Sequence, residues 1–428
     1  MIPLMTLCHY WQARRLRFTQ REVLETYQKR QLKLFARRVL ANSPYFRPYH
    51  ALPISEWPQM DKALMMTNFD RMNTAGLSLQ ELLACARRSE VDRDFTPKVG
   101  KYSVGLSTGT SGRQGVFVVS PQEQQIWAGG MLAKMLPHGL LAGEKVVLFL
   151  RADNNLYHSV NNRWLSLIFY DLFAPFAGHL RRIAQDQPSI VVAPAQVLCA
   201  LARAIERGEL RLQVKKVISC AEVLEPQDRQ LLKQVFAEVG EVYQATEGFL
   251  AATCSHGTLH LNEEFIHVEP QWIDERRFTP LITDFTRRTQ PIVRYRLDDI
   301  LVHRLQPCPC GQATMALERI EGRSDDQLLL PGREGEALVI FADLCRRAIT
   351  NALPTIADYR LIQHDSRRLQ LKADCLPDEL MGCQAQLISL FEQHGIATEQ
   401  LEWQLHAQAI MPQFDTKRRR ITRAPGVR

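Results

Sequence analysis

The chain has no long hydrophobic run, no cysteine framework, no internal repeat and little net charge for its length. Each shortage removes a class of function. The most apolar stretch, Trp164 to Gly178, is broken by Asp171 and Pro175, so no membrane span is expected, since a spanning helix needs about 20 apolar residues. Met1 to Arg14 carries a brief apolar patch without a sustained core or a small-residue cleavage site, so a secretory leader is not expected and the cytoplasm is. Ten cysteines scattered through 428 residues do not form a disulfide framework and would stay reduced in the cytosol. The formal charge of +7 is small for this length, so nucleic acid is not expected as the main partner. Part of that excess sits in Lys417-Arg418-Arg419-Arg420-Ile421-Thr422-Arg423, a run that reads first as solvated charge and second as a contact for nucleic acid or an acidic membrane.

What is present suits a soluble globular protein: 46% hydrophobic and 23% charged residues. A chain of 428 residues exceeds one ordinary core, so two or more domains are expected. Residues 19 to 42 have helical spacing, with Val23, Leu24, Tyr27, Leu32, Phe35 and Val39 on one face, and Asn42-Ser43-Pro44 ends the helix. Residues 51 to 90 read as loop and short helices, with Met60, Met65, Met66 and Met72 as packing. From 101 to 250 strand and helix patterns alternate. Val146–Leu150, Ser189–Ala193, Val214–Cys220 and Glu241–Ala245 are expected as buried strands, with helices near 121–136, 195–207 and 225–239 between them. That order predicts a layered α/β fold with a largely parallel sheet. From 258 to 306 the pattern is β alone, and the last hundred or so residues suit a small α+β domain.

The loop Leu106-Ser107-Thr108-Gly109-Thr110-Ser111-Gly112-Arg113-Gln114-Gly115 lies between two strand-like runs. Its glycines let the backbone turn tightly, and its hydroxyls and N–H groups can donate to phosphate oxygens. An ordinary polar hairpin turn has the same composition. The loop is not the GxxxxGK[ST] phosphate loop, having neither its lysine nor its spacing.

Three further signals follow in order: Tyr243-Gln244-Ala245-Thr246-Glu247-Gly248 at a strand end, Arg294-Tyr295-Arg296-Leu297-Asp298-Asp299, and Glu321-Gly322-Arg323-Ser324-Asp325-Asp326. Together with the loop they resemble the acyl-adenylate-forming superfamily. Ser219-Cys220-Ala221-Glu222, Cys308-Pro309-Cys310-Gly311 and Ser43-Pro44-Tyr45-Phe46-Arg47 resemble the branch of phenylacetate–CoA ligases and deazaflavin-coenzyme adenylating synthetases. The resemblance implies an α/β fold with a large N-terminal domain over 1–321, a hinge at 322–326 with Asp325 at its centre, and a small mobile C-terminal α+β lid over 327–428. Within the large domain a helical segment (1–95) and a β subdomain (about 255–320) are expected.

The resemblance also implies roles. Ser107, Thr108, Gly109, Thr110, Ser111 and Gly112 would hold the β- and γ-phosphates of ATP. Tyr243 would stack on adenine, Thr246 would donate to the α-phosphate, and Glu247 would ligate Mg²⁺ through oxygen. Asp299 would accept from both ribose hydroxyls, as a two-oxygen carboxylate can. Arg323 would reach the ribose or a phosphate, Glu222 belongs to the nucleotide site, and Lys417 would enter from the small domain. Leu297-Asp298 departs from the Thr-Gly usual in the family before the final aspartate, which alters the turn. The implied activity is ATP-dependent activation of an aryl or apolar carboxylic acid, with pyrophosphate released and the acyl group passed to coenzyme A. An amine, a hydroxyl or a coenzyme that receives AMP are alternative acceptors, and a non-catalytic nucleotide- or nucleic-acid-binding protein is the rival class. A monomer or a homodimer is expected.

Cys254-x5-His260 and Cys308-x-Cys310 supply a Cys₃His set, the ligand type of closed zinc sites, with His256 competing for the imidazole place. Buried free cysteine is the alternative. Asn154, Tyr157, His158, Trp164, Phe173, Phe176 and Cys220 are candidates for the acyl pocket by position alone.

Overall fold

The computed structural model describes residues 2–92, 96–106, 115–136, 138–150, 161–323, 326–354, 357–424 and 427. Ser107–Gly112, Asn154, Tyr157, His158 and Asp325 therefore lie outside the described residues.

Helices α1 (Leu4–Arg15) and α2 (Arg21–Arg38) open the chain, followed by the short α3 (Lys62–Thr67) and α4 (Phe69–Met72) and by α5 (Leu79–Asp92). Strands β1 (Lys98–Val99), β2 (Tyr102–Leu106) and β3 (Val116–Val119) form a separate three-stranded antiparallel sheet. Helix α6 (Pro121–Met135) starts sharply because Ser120 and Glu123 close a capping box and Pro121 occupies the first turn.

The α/β order then appears as expected. Strands β4 (Glu144–Leu150), β5 (Leu165–Asp171), β6 (Ile190–Ala193), β7 (Lys216–Ser219) and β8 (Glu238–Ala245) run parallel. Helices α7 (Phe176–Asp186), α8 (Ala195–Glu206) and α9 (Pro226–Val235) connect them. Alternation along β4 explains the layers: Val147 and Phe149 face a core with α8, while Val146 and Leu148 face a core with α1 and α6. The stretch from Trp164, too broken for a membrane span, supplies β5. Helix α9 stops at Val235, short of the expected end at 239, because Glu238 already belongs to β8.

The β-only region does not form a sheet of its own. Strands β9 (Gly248–Thr253), β10 (Leu259–Leu261), β11 (Ile266–Trp272), β12 (Arg277–Asp284), β13 (Ile292–Arg296), β14 (Asp299–His303) and β15 (Ala316–Arg323) continue antiparallel from β8 in one twelve-stranded sheet. Its hydrophobic face is covered by α2 and the Met60–Met72 region, with Met60, Met65 and Met72 buried as packing.

The C-terminal part has its own core. It contains the hairpin β16 (Leu328–Pro331) and β17 (Ala337–Ile340), helices α10 (Ala342–Ala352) and α11 (Pro377–Gln393), and a sheet of β18 (Tyr359–Gln363), β19 (Arg368–Ala373), β20 (Glu402–Ala407) and β21 (Ile421–Arg423). Among the described residues no helix is long and apolar enough to cross a membrane.

Candidate active site

The site lies where the sheet changes from parallel to antiparallel pairing, beyond the carboxyl ends of β7 and β8, the usual ligand position in open α/β sheets. A cavity of about 1060 Å³ opens there, lined among others by Glu222, Tyr243, Thr246, Glu247, Asp299, Arg323 and Lys417. These side chains come from positions between 222 and 417, and the fold brings them to one cavity.

Thr246 and Glu247 occupy a two-residue hairpin between β8 and β9, since Ala245 pairs with Gly248. A bulge between Tyr243 and Gln244 accommodates the turn. Gly248 lets the hairpin approach closely: a Cβ there would stand 2.8 Å from Asp284 Oδ2, and one of the two would have to shift. Thr246 Oγ1 donates to Glu247 Oε2 at 2.9 Å, and burial, then the Glu247 charge, pushes the Tyr295 phenol up. Asp284 lines the same cavity and is raised to about 6 by burial, against the opposing hydrogen bonds of Thr286.

Tyr243 is buried on β8, and its hydroxyl donates to Asp299 Oδ2 at 2.6 Å. Burial, then the Asp299 charge, pushes the Tyr243 phenol well above its usual range. The Asp299 carboxyl is raised by burial, which outweighs the Tyr243 hydrogen bond and the Arg323 charge; Lys417 acts in the same lowering sense. Asp299 thus faces inward to the cavity and does not pair with Arg294, which binds Glu269. Arg323 reaches Asp298 at 3.4 Å, and its backbone N–H donates to Asp326 Oδ2 at 2.8 Å.

Ala221 has a left-handed φ of 63°, and Glu222 N–H donates to Cys220 O at 2.8 Å, closing a three-residue turn directly after β7. Strain of this kind concentrates at functional sites. Glu222 accepts from Gln196 N–H, from Gln196 Nε2 at 2.8 Å and from the Arg418 N–H at 3.0 Å. It is a bridge from the large domain to the segment that carries Lys417.

Arg418, Arg419 and Arg420 of the basic run are not solvated, contrary to the sequence reading, although Lys417 is exposed. The Arg420 side chain is 2% exposed and meets Glu225, Asp228 at 2.9 Å and Asp358 at 2.8 Å. Arg418 pairs with Asp228, Arg419 with Asp326, and Arg346 with Glu225 at 3.3 Å. Burial alone would raise the Asp228 carboxyl, but the Arg420 and Arg418 guanidiniums outweigh it and hold it below the usual range. Asp228 lies on α9 and Glu225 just before it, while Asp326 and Asp358 precede β16 and β18, so these arginines tie the C-terminal part to the part built on the large sheet.

Sequence reasoning missed Lys62, Tyr295 and Arg287, all of which line the cavity. Lys62, from α3, lines the cavity; burial lowers its amine against the Glu247 charge, which raises it. The acyl-pocket candidates divide. Cys220 lines the cavity, whereas Trp164 and Phe173 stand 42% and 53% exposed and Phe176 packs on Phe414 at 4.6 Å. Apolar side chains in the cavity lining include Ile126, Trp127, Phe149, Val242, Phe249 and Phe265.

A second cluster lies on the antiparallel part of the sheet. Cys254 Sγ is 3.7 Å from Cys308 Sγ, Cys310 Sγ is 3.4 Å from His260 Nε2, and all four ligand atoms lie within 4.8 Å of one another. His260 Nδ1 faces Thr314 O at 3.1 Å, which leaves Nε2 directed at the thiols. The competing His256 is instead exposed beside Ser255.

No protein-family model and no curated protein matches the sequence. Solved structures do resemble it. A 2-hydroxyisobutyryl-CoA ligase in its postadenylation state aligns at TM-score 0.65 and 14% identity, covering 94% of this chain and 89% of that one. The same ligase in its thioesterification state aligns at TM-score 0.55 and 15% identity, covering 94% and 90%. An acyl acid amido synthetase aligns at TM-score 0.56 and 11% identity, covering 89% and 86%. This chain therefore has the mixed α/β fold of adenylate-forming ligases, with the large sheet and the small C-terminal sheet both present.

Proposed function

We propose that the protein activates a carboxylic acid with ATP. A carboxylate oxygen of the acid bonds to the α-phosphorus, the bond from that phosphorus to the bridging oxygen breaks, and pyrophosphate leaves. The observation that carries this reading is the convergence of Tyr243, Glu247, Asp299 and Lys417 on one cavity. Asp299 takes the ribose diol in this reading, Tyr243 lies against the base, and Thr246 donates to the α-phosphate. Glu247 offers the hard oxygen that Mg²⁺ prefers, and that ion when bound neutralises phosphate charge. Ser107–Gly112 is assigned to the β- and γ-phosphates. Positioning and charge neutralisation then supply most of the rate. The aromatic and aliphatic side chains of the lining suit an aryl or apolar acid.

The second half-reaction is assigned to coenzyme A: its thiol sulfur attacks the acyl carbonyl and AMP leaves. Pyrophosphate release with ATP, Mg²⁺ and a panel of carboxylic acids, with and without coenzyme A, tests both steps. Absence of release with every acid, together with tight salt-sensitive nucleic-acid binding, would favour the non-catalytic rival. Lys417→Ala is expected to slow adenylation about a hundredfold while leaving transfer from added acyl-AMP within about threefold; wild-type adenylation would remove Lys417 from the reaction.

The four-ligand cluster is assigned to a structural Zn²⁺. With Zn–S bonds near 2.3 Å a tetrahedral site separates its sulfurs by about 3.8 Å, close to the 3.7 Å between Cys254 and Cys308. Metal analysis should find about one zinc per chain, and Cys308→Ser should lower both the metal content and the melting temperature. Metal-free protein with wild-type stability would end the assignment.

A further inference from the structure

Arg287 is used by no step above, yet it is 8% exposed and lines the cavity. Its surroundings explain why a guanidinium is buried there. Strand β3 is the edge of its three-stranded sheet, so one side of its backbone lacks a neighbouring strand. Side chains take that place. Gln290 Oε1 accepts from Val118 N–H at 3.0 Å and Gln290 Nε2 donates to Val116 O at 3.3 Å, while Arg287 Nη2 donates to Val118 O at 3.3 Å. The other arm of the same fork, Arg287 Nη1, donates to Thr246 O at 3.1 Å. Glu123 balances the charge at 4.0 Å and is itself held by Ser120, Thr289 and the Arg288 N–H.

One planar group therefore spans from the strand that leaves the glycine–hydroxyl segment to the hairpin tip that carries Thr246 and Glu247. We propose that Arg287 is a positioning residue for the triphosphate, setting the separation of β3 and the Thr246–Glu247 tip so that both meet one nucleotide. Its rigid two-armed geometry is what the position needs, since a lysine ammonium is a single point and cannot reproduce the planar fork that bonds both carbonyls. The inference rests on the adenylation reading. It differs from a purely structural role in one respect: AMP needs the Tyr243–Asp299–Thr246 side alone, whereas ATP also needs the side built on β3.

The test is Mg-ATP and AMP affinity, by calorimetry, for the wild type, Arg287→Met, Arg287→Lys and Gln290→Leu. Arg287→Met is expected to weaken ATP binding about tenfold to hundredfold, as loss of charged hydrogen bonds does, while changing AMP binding less than about threefold. Arg287→Lys should restore melting temperature but not ATP affinity, and Gln290→Leu should weaken ATP alone, about three- to tenfold. The two milder variants decide the matter if Arg287→Met does not fold. Equal losses for ATP and AMP, full rescue by lysine, or no loss at all would overturn the proposal. A wild type that binds neither nucleotide would instead overturn the adenylation reading, before Arg287 is in question.

Discussion

Asp299→Asn is expected to cut acid-dependent pyrophosphate release about 10²- to 10³-fold, a loss of about 3–4 kcal/mol of transition-state stabilisation. The asparagine oxygen still accepts from the Tyr243 hydroxyl, now 2.6 Å from Asp299 Oδ2, so the local packing survives. What is lost is the pair of charged acceptors for the ribose diol, which an amide cannot replace because one of its two heavy atoms only donates. Melting temperature should move by no more than a few degrees. Tyr243→Phe is the companion variant: it keeps the ring and removes the hydroxyl, so its effect should be near tenfold, the size of one hydrogen bond to a charged group. An Asp299→Asn protein with wild-type activity would show that the nucleotide does not use this carboxylate.

Arg420→Met is expected to destabilise the protein by about 3–5 kcal/mol, because removing one member of a buried ion cluster leaves its partners charged and unpaired. Glu225, Asp228 and Asp358 all face Arg420, and each is almost or largely buried. The pH dependence follows from the carboxylates. Burial alone would raise Asp358, but Arg420 and Arg360 bring it to about 2, and Asp228 is likewise held below its usual range. Carboxylates with a depressed folded value stabilise fully above their unfolded value, about 4, and that contribution fades as pH falls toward 2. Wild-type stability should therefore drop over that interval. Arg420→Met should lose much of the drop, since protonation relieves its unpaired acids. Calorimetric melting of both proteins between pH 2 and 7 measures this. Equal pH profiles for the two would show that the cluster contributes little.

The cluster also marks a boundary of what a sequence exposes. A run of lysine and arginine carries no sign of acids at positions 225, 228 and 358, so its one-dimensional reading was solvated charge. Lys62 and Arg287 were hidden for the same reason: Arg287 acts through Val118 and Thr246, both far away in the chain. By contrast, parallel strands buried on both faces are nearly continuous apolar runs, and Ser189–Ala193 shows this plainly, with every residue of β6 buried. Glu247 and Asp299 stand out in the sequence because a carboxylate placed at a strand end or start has few packing uses, and both line the cavity. The aromatic candidates Trp164 and Phe173 were not, because position along the chain does not tell which face of a segment points inward. The Cys₃His set was readable from its spacing, although the choice of His260 over His256 needed the β10 register that turns His260 into the fold.

A crystal structure with AMP bound tests the shared nucleotide pocket most directly. The expected result has adenine against the Tyr243 ring, both ribose hydroxyls on Asp299, and the phosphate beside Thr246. AMP seated elsewhere on the protein, with Asp299 still bonded to Tyr243 and touching no sugar, would contradict it.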